Sequence, residues 1–261
     1  MPKALTITGL VLSSVLAAGC ASTMPQTLVD EFADAHPAAA PEEAPRVRRV
    51  APAVLSRGAT DQPLVALTFD ACSTWVEADY DAQVIAVLRE HEAPATLFLG
   101  GLWMLRFDAL TRELHDDPLF EIANHAHAHP DMTELDTGKV DRELAFAQLA
   151  ALSVTGEQPL YFRPPYVRKN AQLVERAAAL GLLTVQYDLA SGDADEALAA
   201  ADIAAHVLDN VRPGSIVVLH MNNPDLPTAE ALPDILAGLK ERGLEPVTVS
   251  RLLEAGAVPD I

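Results

Sequence analysis

Positive charge is scarce in this chain. Eighteen Lys and Arg stand against 37 Asp and Glu in 261 residues, a formal charge of −19. That balance argues against a nucleic-acid partner, which needs a basic face to meet phosphates. Cysteine is nearly absent: Cys20 and Cys72 are the full set, so a disulfide scaffold is excluded. Aromatics make up only 5%. There is no Gly-x-Ser-x-Gly elbow, which disfavours a Ser-His-Asp esterase, and no Gly-rich loop to cradle phosphates. What the chain does have is apolar material. Half of its residues are hydrophobic, enough for a sizeable core.

The first residues read as a targeting segment. Lys3 is followed by an apolar run over 4–18, too short to span a bilayer comfortably. A short basic start, an apolar stretch and a small-residue end make a secretory signal. Its close, Leu16-Ala17-Ala18-Gly19-Cys20, resembles a bacterial lipoprotein signal. That resemblance implies an exported protein, anchored in a membrane through lipid on Cys20 and facing the periplasm or the cell exterior. An ordinary cleaved signal with an incidental Cys is the alternative. Residues 1–20 are thus expected to be the signal. Residues 21–60, punctuated by Pro25, Pro37, Pro41, Pro45 and Pro52, are expected to be a Pro/Ala-rich linker. One folded domain should occupy 61–261.

From residue 64 the pattern alternates. Short runs rich in Val, Ile, Leu and Phe at 64–69, 95–99, 182–186, 215–219 and 245–249 predict buried strands, with weaker candidates at 120–123 and 160–162. Segments with helical spacing lie between them, at 76–91, 139–152, 171–180, 199–211 and 229–242. This alternation predicts an α/β fold: a single-domain, closed or nearly closed β/α barrel of about seven parallel strands. Chemistry in such barrels sits at the C-terminal ends of the strands.

Five of those ends carry ionisable groups: Asp70, the run His125-Ala126-His127-Ala128-His129-Pro130, Arg163, Asp188 with Asp193, and His220. On a helical turn His125 and His129 share a face and grip one metal ion, while His127 points away. On an extended strand all three share a face. Imidazole suits Zn, Fe, Ni or Co. Asp70, rigid after a buried strand, is placed to act as general base; the plainer reading is a helix cap. Arg163, fixed by Pro164 and Pro165, is aimed to clamp a carboxylate such as Asp70, or to serve in a structural ion pair. His220 beside Asp193, with Asp188 the second choice, is a proton donor of raised pKa. Cys72 reads first as a small buried residue, with a functional option because it adjoins the site.

In order along the chain, Thr68-Phe69-Asp70-Ala71, His125 through Pro130, Arg163-Pro164-Pro165-Tyr166, Asp188 to Asp193, and Val218-Leu219-His220 resemble the five motifs of the polysaccharide deacetylase family (carbohydrate esterase family 4, the NodB-homology domain). The similarity covers about 62–252. It implies a distorted seven-stranded barrel and metal-assisted removal of N- or O-linked acetyl groups from a cell-envelope or extracellular polysaccharide. By this resemblance Asp70 is the base, Arg163 orients it, and His220 is the acid tuned by Asp193. His125 and His129 hold the metal, with zinc the first choice. Tyr166, Pro165 and Leu219 shape the acetyl pocket, and Tyr166 lends its N–H to the oxyanion. The family's second Asp in the first motif, a metal ligand, is here Ala71. Two histidines with a carboxylate from Asp70 are the expected site; His127, Cys72 and Glu77 are the other candidates for the third ligand. The competing functions are a metal-independent amide hydrolase on the same barrel and a lipid-anchored glycan-binding pseudoenzyme. The joint presence of Asp70, Arg163, Asp193 and His220 argues against the latter, because a binding module needs neither acid nor base.

Overall fold

Strand 64–71 reads Leu-Val-Ala-Leu-Thr-Phe-Asp-Ala, and every one of its residues is buried. A strand covered on both faces belongs in the middle of a parallel sheet, and the computed structural model places it there. The structure describes residues 22–72, 80–195 and 197–256. The expected signal with Cys20, and also Glu77, lie outside the described residues.

In chain order the strands are β1 (Ser22–Thr23), β2 (Arg46–Val47), β3 (Val54–Leu55), β4 (Leu64–Ala71), β5 (Ala95–Leu99), β6 (Phe120–Asn124), β7 (Tyr161–Phe162), β8 (Leu183–Val185), β9 (Leu189–Ala190), β10 (Ile216–His220) and β11 (Glu245–Val247). The helices are α1 (Gln26–Ala35), α2 (Ala82–Glu90), α3 (Gly101–Arg106), α4 (Asp108–Asp116), α5 (Thr137–Thr155), α6 (Ala171–Ala179), α7 (Ala200–Asn210), α8 (Thr228–Glu241) and α9 (Val249–Gly256). Nine strands form one sheet in the order β3-β8-β7-β6-β5-β4-β10-β9, with β11 also paired to β4. All of its pairings are parallel. The sheet curls into a distorted barrel whose path ends at β3 on one side and β9 on the other. The seven expected strands are present; β3 and β9 extend the sheet at its two ends.

The strand period of two divides the core. Leu64 and Ala66 of β4, Phe98 of β5, Ala123 of β6, Tyr161 of β7 and Ile216 of β10 pack with Val249 and Leu252 of α9 inside the curl. Val65, Leu67, Phe69 and Ala71, Leu97 and Leu99, Phe162, and Val217 and Leu219 pack outward against the helices. Successive side chains must alternate in this way, and the alternation decides which residue at each strand end faces the barrel mouth.

Local signals fix the helix ends. Asp81 accepts from Gln83 N to start α2, Asp136 accepts from Lys139 N to start α5, and Asn170 accepts from Leu173 N to start α6. α5 stops at Gly156, whose φ of +81° suits glycine. The helix expected over 76–91 therefore starts at Ala82. The strand expected over 245–249 ends at Val247, and Val249 instead opens α9, which closes the bottom of the barrel.

Within the expected linker, residues 22–60 are not the extended tether that their prolines suggested. α1 buries Leu28, Val29 and Phe32 against the outer core, with Met24 and Val47 beside them. β3 adds to the sheet beside β8. The prolines lie outside the helix, Pro25 at its N-cap and Pro37 after its end, so they bound it rather than forbid it. Phe32 is fully buried and meets the Phe146 ring edge-on at 5.3 Å. Replacing a buried Phe by Ala typically costs about 3–5 kcal/mol. Phe32→Ala should lower unfolding stability by about that much, measured by urea denaturation; an unchanged midpoint would mean that α1 is only a tether.

Candidate active site

The inward-facing parity of each strand carries one functional side chain into the barrel mouth. Asp70 continues Leu64, Ala66 and Thr68 on β4. His125 follows Ala123 and Arg163 follows Tyr161, both by two residues. His220 follows Ile216 and Val218 on β10. Asp70 and His220 are register partners across β4 and β10. These four groups, with Cys72, His129, Pro164, Tyr166, Tyr187 and Asp193 among the other lining residues, surround a cavity of about 340 Å³.

Arg163 is the hub. It is 1% exposed, and its Nη1 donates to Asp70 Oδ1 at 2.7 Å. Its guanidinium lies 4.0 Å from the centre of the Phe98 ring, a cation–π contact that suits a charge kept from water. Its backbone carbonyl accepts from His125 Nδ1 at 2.8 Å. That bond fixes the tautomer and leaves the Nε2 lone pair of His125 free for a metal. Burial favours the protonated form of Asp70. Arg163, then His125 and His220, outweigh it and hold the Asp70 pKa below the usual carboxylate value. The carboxylate is therefore ionised and ready to accept a proton. Its Oδ2 lies 3.7 Å from His125 Nε2.

His220 forms the second charged unit. Its Nδ1 pairs with Asp193 Oδ1 at 2.9 Å, and its backbone N–H donates to Asp193 Oδ2 at 2.7 Å. Ser191 Oγ and Thr228 Oγ1 complete the shell around the Asp193 carboxylate, at 2.8 and 2.7 Å. Burial works against a charged His220, but Asp193 outweighs it and raises the imidazole pKa above its ordinary value. Asp188 is not the partner. It accepts from Ile216 N at 2.8 Å and from Ser215 Oγ at 3.1 Å, and so serves the backbone beneath β10.

The histidine loop is neither helix nor strand. Ala126 and His129 have φ of +63° and +59°. These two left-handed residues fold the chain back so that the His125 and His129 rings stand 4.9 Å apart. His129 is nine-tenths buried, and its Nδ1 has no hydrogen-bond partner. Burial, then His125, pushes its pKa down to about 4. His127 points the other way, to His36 at the end of α1, with Nε2 atoms 3.2 Å apart, so it is not a third ligand. The sulfur of Cys72 does join His125 and His129: one ligand atom from each lies within 4.8 Å of the others. Cys72 Sγ is 3.7 Å from His125 Nε2. Two imidazoles kept neutral by burial and a third donor beside them fit a divalent cation. Asp70, expected to supply that third ligand, has Oδ1 bound to Arg163, while its Oδ2 stands 3.7 Å from His125 Nε2.

Two pocket residues expected by motif position lie elsewhere. Leu219 is fully buried in the outer core and does not line the cavity; Val218 and His220, of the opposite parity, do. Pro165 is buried beneath the turn, and Pro164 lines the cavity in its place. Tyr166 is 58% exposed at the cavity rim, with φ of +55° and its ring 4.8 Å from that of His129. Backbone strain of this kind, at both His129 and Tyr166, clusters where a site must hold an unusual shape. Sequence reasoning missed Ser191, Thr228 and Tyr187. Ser191 stands two residues before Asp193, a spacing that permits a local side-chain bond. Thr228 carries no such signal.

Comparison with known proteins gives the family. Residues 57–185 match the family model described as polysaccharide deacetylase. The chain is 30% identical over 195 residues to the peptidoglycan-N-acetylglucosamine deacetylase of Bacillus cereus, covering 74% of this chain and 89% of that protein. It is 32% identical over 172 residues to the chitooligosaccharide deacetylase of Rhizobium leguminosarum bv. trifolii, covering 66% and 75%. Among solved structures, a family 4 carbohydrate esterase pseudoenzyme from Bacillus anthracis superposes with a TM-score of 0.71 at 24% identity, over 79% of this chain and 70% of that one; this is a likeness of fold. Some relatives are longer. The chain spans 61% of the uncharacterized protein YlxY of Bacillus subtilis and 32% of a bifunctional xylanase/deacetylase of Pseudobutyrivibrio xylanivorans. With the strand-end residues gathered at one mouth, and the Bacillus cereus and Rhizobium relatives matched over 89% and 75% of their own lengths, the chain belongs to the polysaccharide deacetylase family.

Proposed function

We propose that this protein is a metal-dependent hydrolase that removes acetyl groups from an acetylated polysaccharide or oligosaccharide of the cell envelope or its surroundings. One observation carries the reading. An ionised base, two imidazoles with a third donor, and a carboxylate-paired histidine all line a single cavity. Its volume of about 340 Å³ lies at the small end of the range for ligand sites. The relatives named as peptidoglycan and chitooligosaccharide deacetylases support this class of substrate.

His125 and His129 would hold the cation. When bound, it would polarise the acetyl carbonyl and acidify the attacking water. Asp70, kept ionised and oriented by Arg163, accepts the proton of that water. As the carbonyl becomes tetrahedral, the main-chain N–H of Tyr166 is the donor we assign to the developing oxyanion. His220 then delivers a proton to the leaving nitrogen. Its Nδ1 is occupied by Asp193, so Nε2 is the nitrogen that gives the proton. Asp193 stabilises the imidazolium before transfer and fixes its orientation.

The same proposal places the enzyme outside the cytoplasm, anchored by lipid on Cys20. The segment Leu16 to Cys20 supports this. No helix among the described residues is long and apolar enough to cross a membrane.

Three outcomes are expected. First, the purified protein should release acetate from N-acetylated peptidoglycan fragments or chitooligosaccharides, lose that activity to a chelator and regain it with zinc. Asp70→Asn and His125→Ala should each lower kcat/KM by at least about a hundredfold, the lower range for loss of a general base. Full acetate release by either variant would overturn the reading. Second, the proton on His220 is needed for activity and its pKa is raised, so activity should persist above the ordinary imidazole value. Asp193→Asn removes the main raising influence. The His220 pKa, followed by NMR titration, should fall, and the alkaline limb of the rate profile should move to lower pH with it. Third, cells fed labelled palmitate should label the wild-type chain and not Cys20→Ser; equal labelling would remove the anchor.

A further inference from the structure

β4 runs as regular strand through Ala71, whose carbonyl accepts from Gly100 N at 3.1 Å. Ala71 is fully buried in the outer core, facing the helices. The next residue therefore returns to the inner face. Cys72 lines the cavity together with Asp70, two positions before it on the same face. A side chain at position 71 faces away from the histidines; one at position 72 faces them.

Three independent features converge on the Cys72 sulfur. It lies with one nitrogen of each of His125 and His129 inside a 4.8 Å cluster. His125 has its Nδ1 committed to the Arg163 carbonyl, so its Nε2, 3.7 Å from the sulfur, is an unshared lone pair. His129 is nine-tenths buried with its Nδ1 unpartnered. Asp70, the nearest carboxylate, has one oxygen bound to Arg163 at 2.7 Å.

We propose that Cys72 is the third protein ligand of the metal, making a thiolate–bis-imidazole centre. This inference rests on the metal-dependent reading above and deepens it. On binding, the S–H bond of Cys72 breaks, its proton leaves to solvent, and the sulfur forms a bond to the divalent cation; no electron is transferred. The centre gains one negative charge from its third ligand, as a carboxylate would give, and Asp70 keeps its freedom to move protons. The ligand differs in softness. Sulfur favours zinc, cobalt and cadmium over magnesium and manganese, so this active site is selective for the softer ions.

Cobalt(II) added to the metal-free, full-length protein tests this without reference to activity. The wild type should show visible d–d bands together with a near-ultraviolet sulfur-to-cobalt charge-transfer band. Cys72→Ser, nearly isosteric, should lose the charge-transfer band and bind zinc at least about tenfold more weakly, on the scale of losses from disturbing a metal's ligand shell. Cys20→Ser should keep the band. Cys72→Asp should bind cobalt without the band and lose at least about tenfold of the zinc-over-manganese preference. Cobalt bound with d–d bands and no charge-transfer band, or a band that survives in Cys72→Ser, overturns the thiolate ligand and leaves the metal-dependent reading standing. A wild type that binds no cobalt or zinc at all overturns both.

Discussion

The active site depends on one buried ion pair and the residue that makes it. Arg163 holds the Asp70 carboxylate with its side chain and the His125 ring with its main chain. Two cavity-lining side chains are thus positioned from a single Cα. Burying such a pair is costly, and removing one partner typically destabilises by about 3–5 kcal/mol, so its retention calls for a functional reason. Without the guanidinium, Asp70 would lose the main influence that offsets its burial, and its pKa would rise. Pro164 and Pro165 stiffen the chain just beyond Arg163, and the Phe98 face receives its cation from inside the barrel. The ion pair therefore sets both protonation state and geometry.

The second constraint is the period of the strands. Asp70, His125, Arg163 and His220 come from four strands, yet each lies an even number of residues beyond a side chain packed inside the curl. The barrel interior therefore continues into the active site, and the polar mouth is the last layer of an otherwise apolar stack. Leu219 and Ala71 fall on the other parity and belong to the outer core. Motif position alone places Leu219 in the pocket and a metal ligand at 71. The alternation, which is present in the sequence as Leu64, Ala66, Thr68, Asp70 and Cys72, places neither there.

That contrast shows what was legible. The apolar runs were long enough to locate seven strands, and the residues after them were enough to pick out Asp70, His125, His129, Arg163, Asp193 and His220, which the structure gathers around one cavity. The face on which each residue stood was also written in the sequence, but it becomes readable only when the strand is known to continue past its apolar run, as β4 does through Asp70 and Ala71. The shape of the histidine loop was not legible. His125 and His129 meet because Ala126 and His129 adopt left-handed conformations, which neither a helical nor a strand period describes. α1 was hidden for a different reason: prolines at both of its flanks and an alanine run gave its surroundings the composition of a linker, although Leu28, Val29 and Phe32 sit at helical spacing.

The misread segment and the strained loop turn out to be connected. Left-handed conformations at non-glycine residues persist only where their surroundings hold them. Here Glu143 of α5 accepts from the backbone N–H groups of both His127 and Ala128. The His127 ring is wedged between His36 and Phe146, and Phe146 is itself covered by Phe32 of α1. The Arg142–Glu31 pair fastens α1 to α5 at the surface. The back wall of the histidine loop is thus built partly from residues 28–36, which lie outside the span 57–185 that matches the family. The functional unit begins well before the first barrel strand, because a loop bent to bring two imidazoles together needs something rigid behind it.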